Sequence, residues 1–134
     1  METLKLFAIV FVLGPVLDVV WFSLVASKLY KAELGPILRM KDGAVAANLW
    51  VALPVYILIA LLVVCFVLPK AGSILSALIW GALAGFILYG VYDFTNMSFL
   101  KDWTWTTTVI DILWGTFMVG AVSAIAYWAK GLFA

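Results

Sequence analysis

Residues Ala44 to Leu68 read AVAANLWVALPVYILIALLVVCFVL, with no acidic or basic side chain anywhere in the stretch. About 20 helical residues at 1.5 Å each cross the ~30 Å hydrocarbon layer of a bilayer, so this stretch is long enough to span it. Charges and turn residues on either side delimit three more apolar spans, Leu4 to Ser27, Ser73 to Met97 and Thr106 to Ala129. Four spans cannot close a membrane barrel, which leaves helices as the way to satisfy every backbone N–H and C=O inside lipid. The expected fold is therefore all-α, an integral membrane four-helix bundle forming a single transmembrane domain over residues 1–134.

Composition agrees and narrows the chemistry. Of 134 residues, 67% are hydrophobic and 11% charged, against roughly 45–50% and 25% in soluble domains. The net charge is +1 and the eight Lys and Arg residues are scattered, so the basic stripe that nucleic-acid binding requires is missing. With no histidine and one cysteine, Cys65, the chain offers no intramolecular disulfide, no usual zinc ligand set and no histidine-activated nucleophile. No metal site and no catalytic residue is assigned on these grounds, the cofactor is unknown, and a non-enzyme is favoured. Cys65, with no base near it in sequence, reads as a small buried hydrophobe.

The connector from residues 28 to 43 mixes Lys28, Lys31, Arg39 and Lys41 with Leu29, Tyr30, Leu34, Ile37 and Leu38. That amphipathic pattern predicts a segment lying on the bilayer surface. The other connectors, around Pro69 to Gly72 and Leu100 to Trp105, are short and imply antiparallel neighbours. Lys28, Lys31, Arg39, Lys41 and Lys101 fall on one side, against Lys5, Lys70 and Lys130 on the other. The positive-inside rule then places both termini outside. Trp103, Trp105 and Trp128, at span ends, read as interfacial anchors.

Three aspartates stand inside these spans, where each costs roughly 2.5–3.5 kcal/mol on the insertion scale. Counted from Lys28 and Lys101, Asp18, Asp93 and Asp111 all lie about 10–15 Å in from the same membrane face. The third span lines up Gly81, Gly85, Tyr89, Tyr92, Asp93 and Asn96 along one stripe. The two glycines make a small-xxx-small contact for a neighbouring helix, and the polar residues line what opens beside it. The first span sets Gly14, Asp18, Trp21 and Phe22 on one face, and the fourth sets Thr108, Asp111, Trp114 and Gly115 on another. From the second span, Asn48 is expected to enter at the same depth, with Ala52 and Tyr56 below it and Pro54 as a local break. Asp18-Val19-Val20-Trp21 and Asp111-Ile112-Leu113-Trp114 share a pattern, read as coincidence because antiparallel helices place the two tryptophans on opposite sides of their aspartates.

The stretch Tyr89-Gly90-Val91-Tyr92-Asp93-Phe94-Thr95-Asn96, with Asp111-Ile112-Leu113-Trp114-Gly115 and Asp18-Val19-Val20-Trp21, resembles a bacterial family of small four-helix membrane proteins of unknown function. The resemblance covers nearly the whole chain and implies a bacterial inner-membrane protein, but carries no activity. Tyr92-Asp93 resembles half of the intramembrane aspartyl protease motif. The Gly-x-Gly-Asp half is absent, since Val109-Ile110 precede Asp111. Small multidrug-resistance transporters share the size and a first-helix acid, yet the other helix motifs do not match.

No Lys, Arg or His lies deep in a span, so the acids hold protons, accept hydrogen bonds from Tyr, Trp and Asn, or are matched by a bound cation. The leading expectation is a small transporter or ligand-binding protein. Asp18, Asp93 and Asp111 would hold a proton, cation or amine, Trp21, Trp50, Tyr89, Tyr92 and Trp114 would form an aromatic wall for a cationic or lipid-like ligand, and Asn48 and Asn96 would orient it. Four helices scarcely enclose a pathway, so a homo-oligomer is expected. The alternatives are an accessory subunit of a larger membrane complex, which docks a partner through the same stripe, and an enzyme acting on lipid through Asp93 or Asp111.

Overall fold

A computed structural model describes residues 1–134. Four helices in it are long and apolar enough to cross a membrane. The first, α1 (Glu2–Trp21), passes through a π-helical turn at Phe22–Ala26 into α2 (Ser27–Leu34) and a 3-10 turn at Gly35–Ile37. A two-residue-strand hairpin, β1 (Met40–Lys41) and β2 (Ala44–Val45), follows. Then come α3 (Leu49–Leu62), ending in a π-turn at Val63–Val67 and a 3-10 turn at Leu68–Lys70, α4 (Ile74–Phe99) and α5 (Trp105–Phe133).

Local sequence explains the boundaries. Asn48 Oδ1, Ser73 Oγ and Thr104 Oγ1 accept from the backbone N–H groups of Trp50, Ser76 and Thr107, capping α3, α4 and α5 at their N-termini. The hairpin turns at Asp42 and Gly43, both at positive φ (52° and 77°), the pairing that a two-residue turn of this hand demands. Pro54 does not break α3. It loses a single ladder bond near the helix start, and the departures from α-geometry fall at the two π-turns instead.

The connector expected on the bilayer surface departs from that picture. Nothing between Trp21 and Leu34 breaks a helix, so the first half of the connector continues the first span up to Gly35-Pro36, and only the second half turns into the hairpin. The π-turn matters for where that extension faces. Twelve residues at 100° each would set Tyr30 about 120° away from the face of Asp18, whereas absorbing one extra residue reduces the offset to about 20°.

The α4–α5 pair forms the most extensive interface, and glycine makes it close. A methyl group at Gly85 would collide with the carbonyl oxygen of Gly115, and one at Gly81 with Ser123 Oγ. The apolar core lies at the end of the bundle away from the hairpin. Leu6 and Val10 of α1 meet Ile59, Ala60, Val63 and Val64 of the second span and Met118, Val119, Val122 and Ala126 of α5. α3 packs on α1, and the second span reaches α4 through its last turns, Val63 to Lys70. α3 and α4 therefore diverge from that end, leaving a gap that widens toward the hairpin side. Only 27 of 134 residues are buried, so most of the apolar surface faces outward, as a lipid-embedded bundle requires. Cys65 belongs to that outer surface rather than to the core.

Candidate functional site

The polar side chains inside the bundle converge toward the hairpin side. Asp18 accepts two hydrogen bonds, from Trp114 Nε1 at 2.7 Å and from the Tyr56 hydroxyl at 2.9 Å. Asp111 is 8% exposed and accepts from the Tyr30 hydroxyl at 2.5 Å. Asp93 is 0% exposed and neither carboxylate oxygen finds a donor, while its carboxyl lies against that of Asp111. Asp93 and Asp111 thus form a side-by-side pair, with Asp18 one turn deeper, at the level of Trp114.

The two Asp-x-x-Trp segments are partners rather than a coincidence. Antiparallel packing of α1 on α5 brings Asp18 to the level of Trp114 and Trp21 to the level of Asp111. The two indoles stack face to face at 4.8 Å with 3° between their planes. Opposite placement of each tryptophan is what creates this clasp. It is not symmetric in its bonds, since Trp21 Nε1 is buried without a partner and Asp111 takes Tyr30 instead.

Glycines seat the tyrosines. A methyl group at Gly115 would run into the ring of Tyr89, and one at Gly14 would come within 3.3 Å of Tyr56 Cδ1. Tyr89 consequently packs over Gly115, on the groove that Asp111 also lines. Tyr92 sits beside Asn96, one turn further along α4, and meets Trp103 edge to face at 5.9 Å.

Between α3 and α4 lies a groove of about 930 Å³. Val55, Leu58, Ile59 and Leu62 of α3 form one wall, Leu88, Tyr89 and Tyr92 of α4 the other, and Thr107 and Asp111 of α5 the back. Tyr30, Leu34, Ile37 and Leu38 close its wide end, with Trp103 beside them. Its volume falls in the range of ~300–1,000 Å³ typical of small-molecule sites. Its one carboxylate lies nearer the wide end. Asp111 and Tyr92 lie six and seven residues inside their helix ends, about 9–11 Å, whereas Leu88 and Leu62 lie about 17–20 Å in.

Two of the ten residues singled out from sequence stand apart. Asn48 is spent on capping α3 and is exposed, and Trp50, at 85% exposed, points away from the acids. Starting α3 at Leu49 leaves Asn48 outside the helix, so the assumed extension of its face into the chamber fails. Trp105 and Trp128 are exposed near their helix ends, as anchors should be, but Trp103 folds inward and donates from Nε1 to Thr108 Oγ1 at 3.1 Å. Sequence reasoning missed Tyr30, Trp103 and Thr107 as lining residues. A tyrosine on the apolar stripe of a basic segment gives no signal of its own, and Tyr30 becomes visible only once the π-turn is known.

The fold and the buried polar cluster define a polytopic α-helical membrane protein. Residues 3–128 match the family described as Predicted membrane protein (DUF2177), and the chain belongs to that family. It is a family of unknown function, in keeping with the resemblance stated from the sequence. No curated protein and no solved structure matches the chain.

Proposed function

We propose that the protein binds an amphipathic molecule drawn from the bilayer, with its apolar part between α3 and α4 and its polar end against Asp111 and Tyr30. The observation that carries this reading is the groove itself. Its inner end is formed by Leu58, Ile59, Leu62 and Leu88, while Asp111, Thr107 and Tyr92 stand nearer the helix ends beneath the cover of Tyr30 and Leu34 to Leu38, an arrangement that suits a molecule with an apolar tail and one polar group. Divergence of α3 from α4 supplies a lateral entrance, so a ligand need not leave the membrane to enter. With Lys28, Lys31, Arg39, Lys41 and Lys101 at the wide end, the positive-inside rule assigns that entrance to the cytoplasmic leaflet. Within the transporter-or-binding-protein expectation, binding is the part these features support.

The test is native mass spectrometry of the protein released gently from its membrane. A defined adduct is expected on the wild type and not on Leu88→Trp, whose indole fills the groove. An identical adduct on both proteins would overturn the reading, because the ligand would then sit elsewhere.

A further inference from the structure

We propose that Asp93 and Asp111 form a cation subsite toward the wide end of the groove, so that the bound amphiphile carries an ammonium head. The inference rests on the groove reading above and adds the charge of the ligand.

Asp93 has two oxygens buried with no donor, and its neighbour is a second carboxyl that already accepts from Tyr30. A buried carboxyl without donors is costly when ionised unless a positive charge accompanies it. The protein supplies none, since every Lys and Arg side chain is exposed and Lys31 bonds to the Gly43 carbonyl. Two carboxyls side by side with no basic side chain near them concentrate acceptor oxygens at one point, and an ammonium group is the complement that such a pair lacks.

The surroundings fit the same ligand. Asp111 lines the groove directly, with Asp93 behind it as the second carboxyl, so Asp111 meets the ligand and Asp93 acts through it. Tyr92 and Trp103, set edge to face, form an aromatic corner on the groove, and such faces attract cations by about 0.5–2 kcal/mol. An anionic head would meet a carboxyl pair of its own sign. A neutral hydroxyl could donate one hydrogen bond to Asp111 but brings no positive charge to the two carboxyls.

Three probes of one chain length separate these cases: tetradecyltrimethylammonium, tetradecanol and tetradecanoate. Each is titrated alone, and all three as an equimolar mixture, into protein in maltoside micelles, with occupancy read by native mass spectrometry. The ammonium probe is expected to bind at least about ten-fold more tightly than the other two. Asp111→Asn should abolish that preference and Asp93→Asn reduce it several-fold. Tyr92→Leu should weaken the ammonium probe alone by about two- to five-fold, which decides the matter if an Asp variant fails to fold. Equal binding of the three probes to wild type, or an undiminished preference in Asp111→Asn or in Tyr92→Leu, overturns the cation subsite. Leu88→Trp keeps the two proposals apart. If it displaces all three probes while no preference exists, the groove stands and the cation subsite falls; if it displaces none, the groove reading itself fails.

Discussion

Asp18 shows what a single buried acid requires inside a bundle of this size. Its carboxyl is satisfied by one indole N–H and one phenol, each from a different helix, so α1, α3 and α5 meet at one side chain. Trp114→Phe retains the ring that stacks on Trp21 but deletes the 2.7 Å donor. Interhelical hydrogen bonds in membranes average ~0.6 kcal/mol and reach ~1.7. A loss of about 1–2 kcal/mol is expected here, because the acceptor is a carboxyl left half-satisfied. Reversible unfolding in mixed micelles measures it. A variant as stable as the wild type would mean that Asp18 finds its second donor elsewhere. At this scale the sequence was informative about which residues matter and silent about how they pair. Asp18, Trp21, Asp111 and Trp114 are all visible as costly or bulky side chains at helical spacing. That Asp18 bonds Trp114 follows only from the relative heights of two antiparallel helices, which the spacing within each helix does not contain.

Among the elements, the α4–α5 pair makes the sharpest prediction because its glycines differ in surroundings. Gly85 abuts the backbone of Gly115, while Gly90, one and a half turns on, has open space where a side chain would go. Gly85→Val should therefore force the helices apart and cost 3 kcal/mol or about that, at the upper end of overpacking penalties. Gly90→Ala, with room for its methyl inside a helix, should not destabilise and should add up to about 1 kcal/mol from helix propensity. Thermal unfolding in detergent followed by circular dichroism compares the two; similar melting temperatures would show that the close approach is not tight. The small-xxx-small stripe of Gly81 and Gly85 was legible because glycine at four-residue spacing has few other uses in an apolar helix. The lipid-facing side was not. Leu, Val and Phe serve equally well against lipid and against another helix, so Cys65 and Trp50 gave no sign of which way they point. The π-turns at Phe22–Ala26 and Val63–Val67 were equally hidden, since neither contains Pro or Gly to mark it.

For the whole molecule, the arrangement is polarised along the membrane normal. The apolar core occupies the end that holds Leu6, Val64 and Ala126, and the acids, tyrosines and groove occupy the end that holds Tyr30, Trp103 and Asp111. Five of the eight basic residues lie at the groove end. If that end faces the cytoplasm, the bundle is closed on the outer side and open toward the inner leaflet. Ligand capture would then be confined to lipids or amphiphiles of that leaflet. The orientation is measurable without knowing the ligand. In a Cys65→Ala background, Lys130→Cys and Lys101→Cys place one thiol at each end of α5, both on exposed side chains. A membrane-impermeant maleimide applied to intact cells should label the Lys130 position at once and the Lys101 position only after lysis. The reverse pattern would invert the topology and move the groove to the outer leaflet. The Lys and Arg bias would then not report the topology, and the molecules competing for the site would be those that reach the membrane from outside.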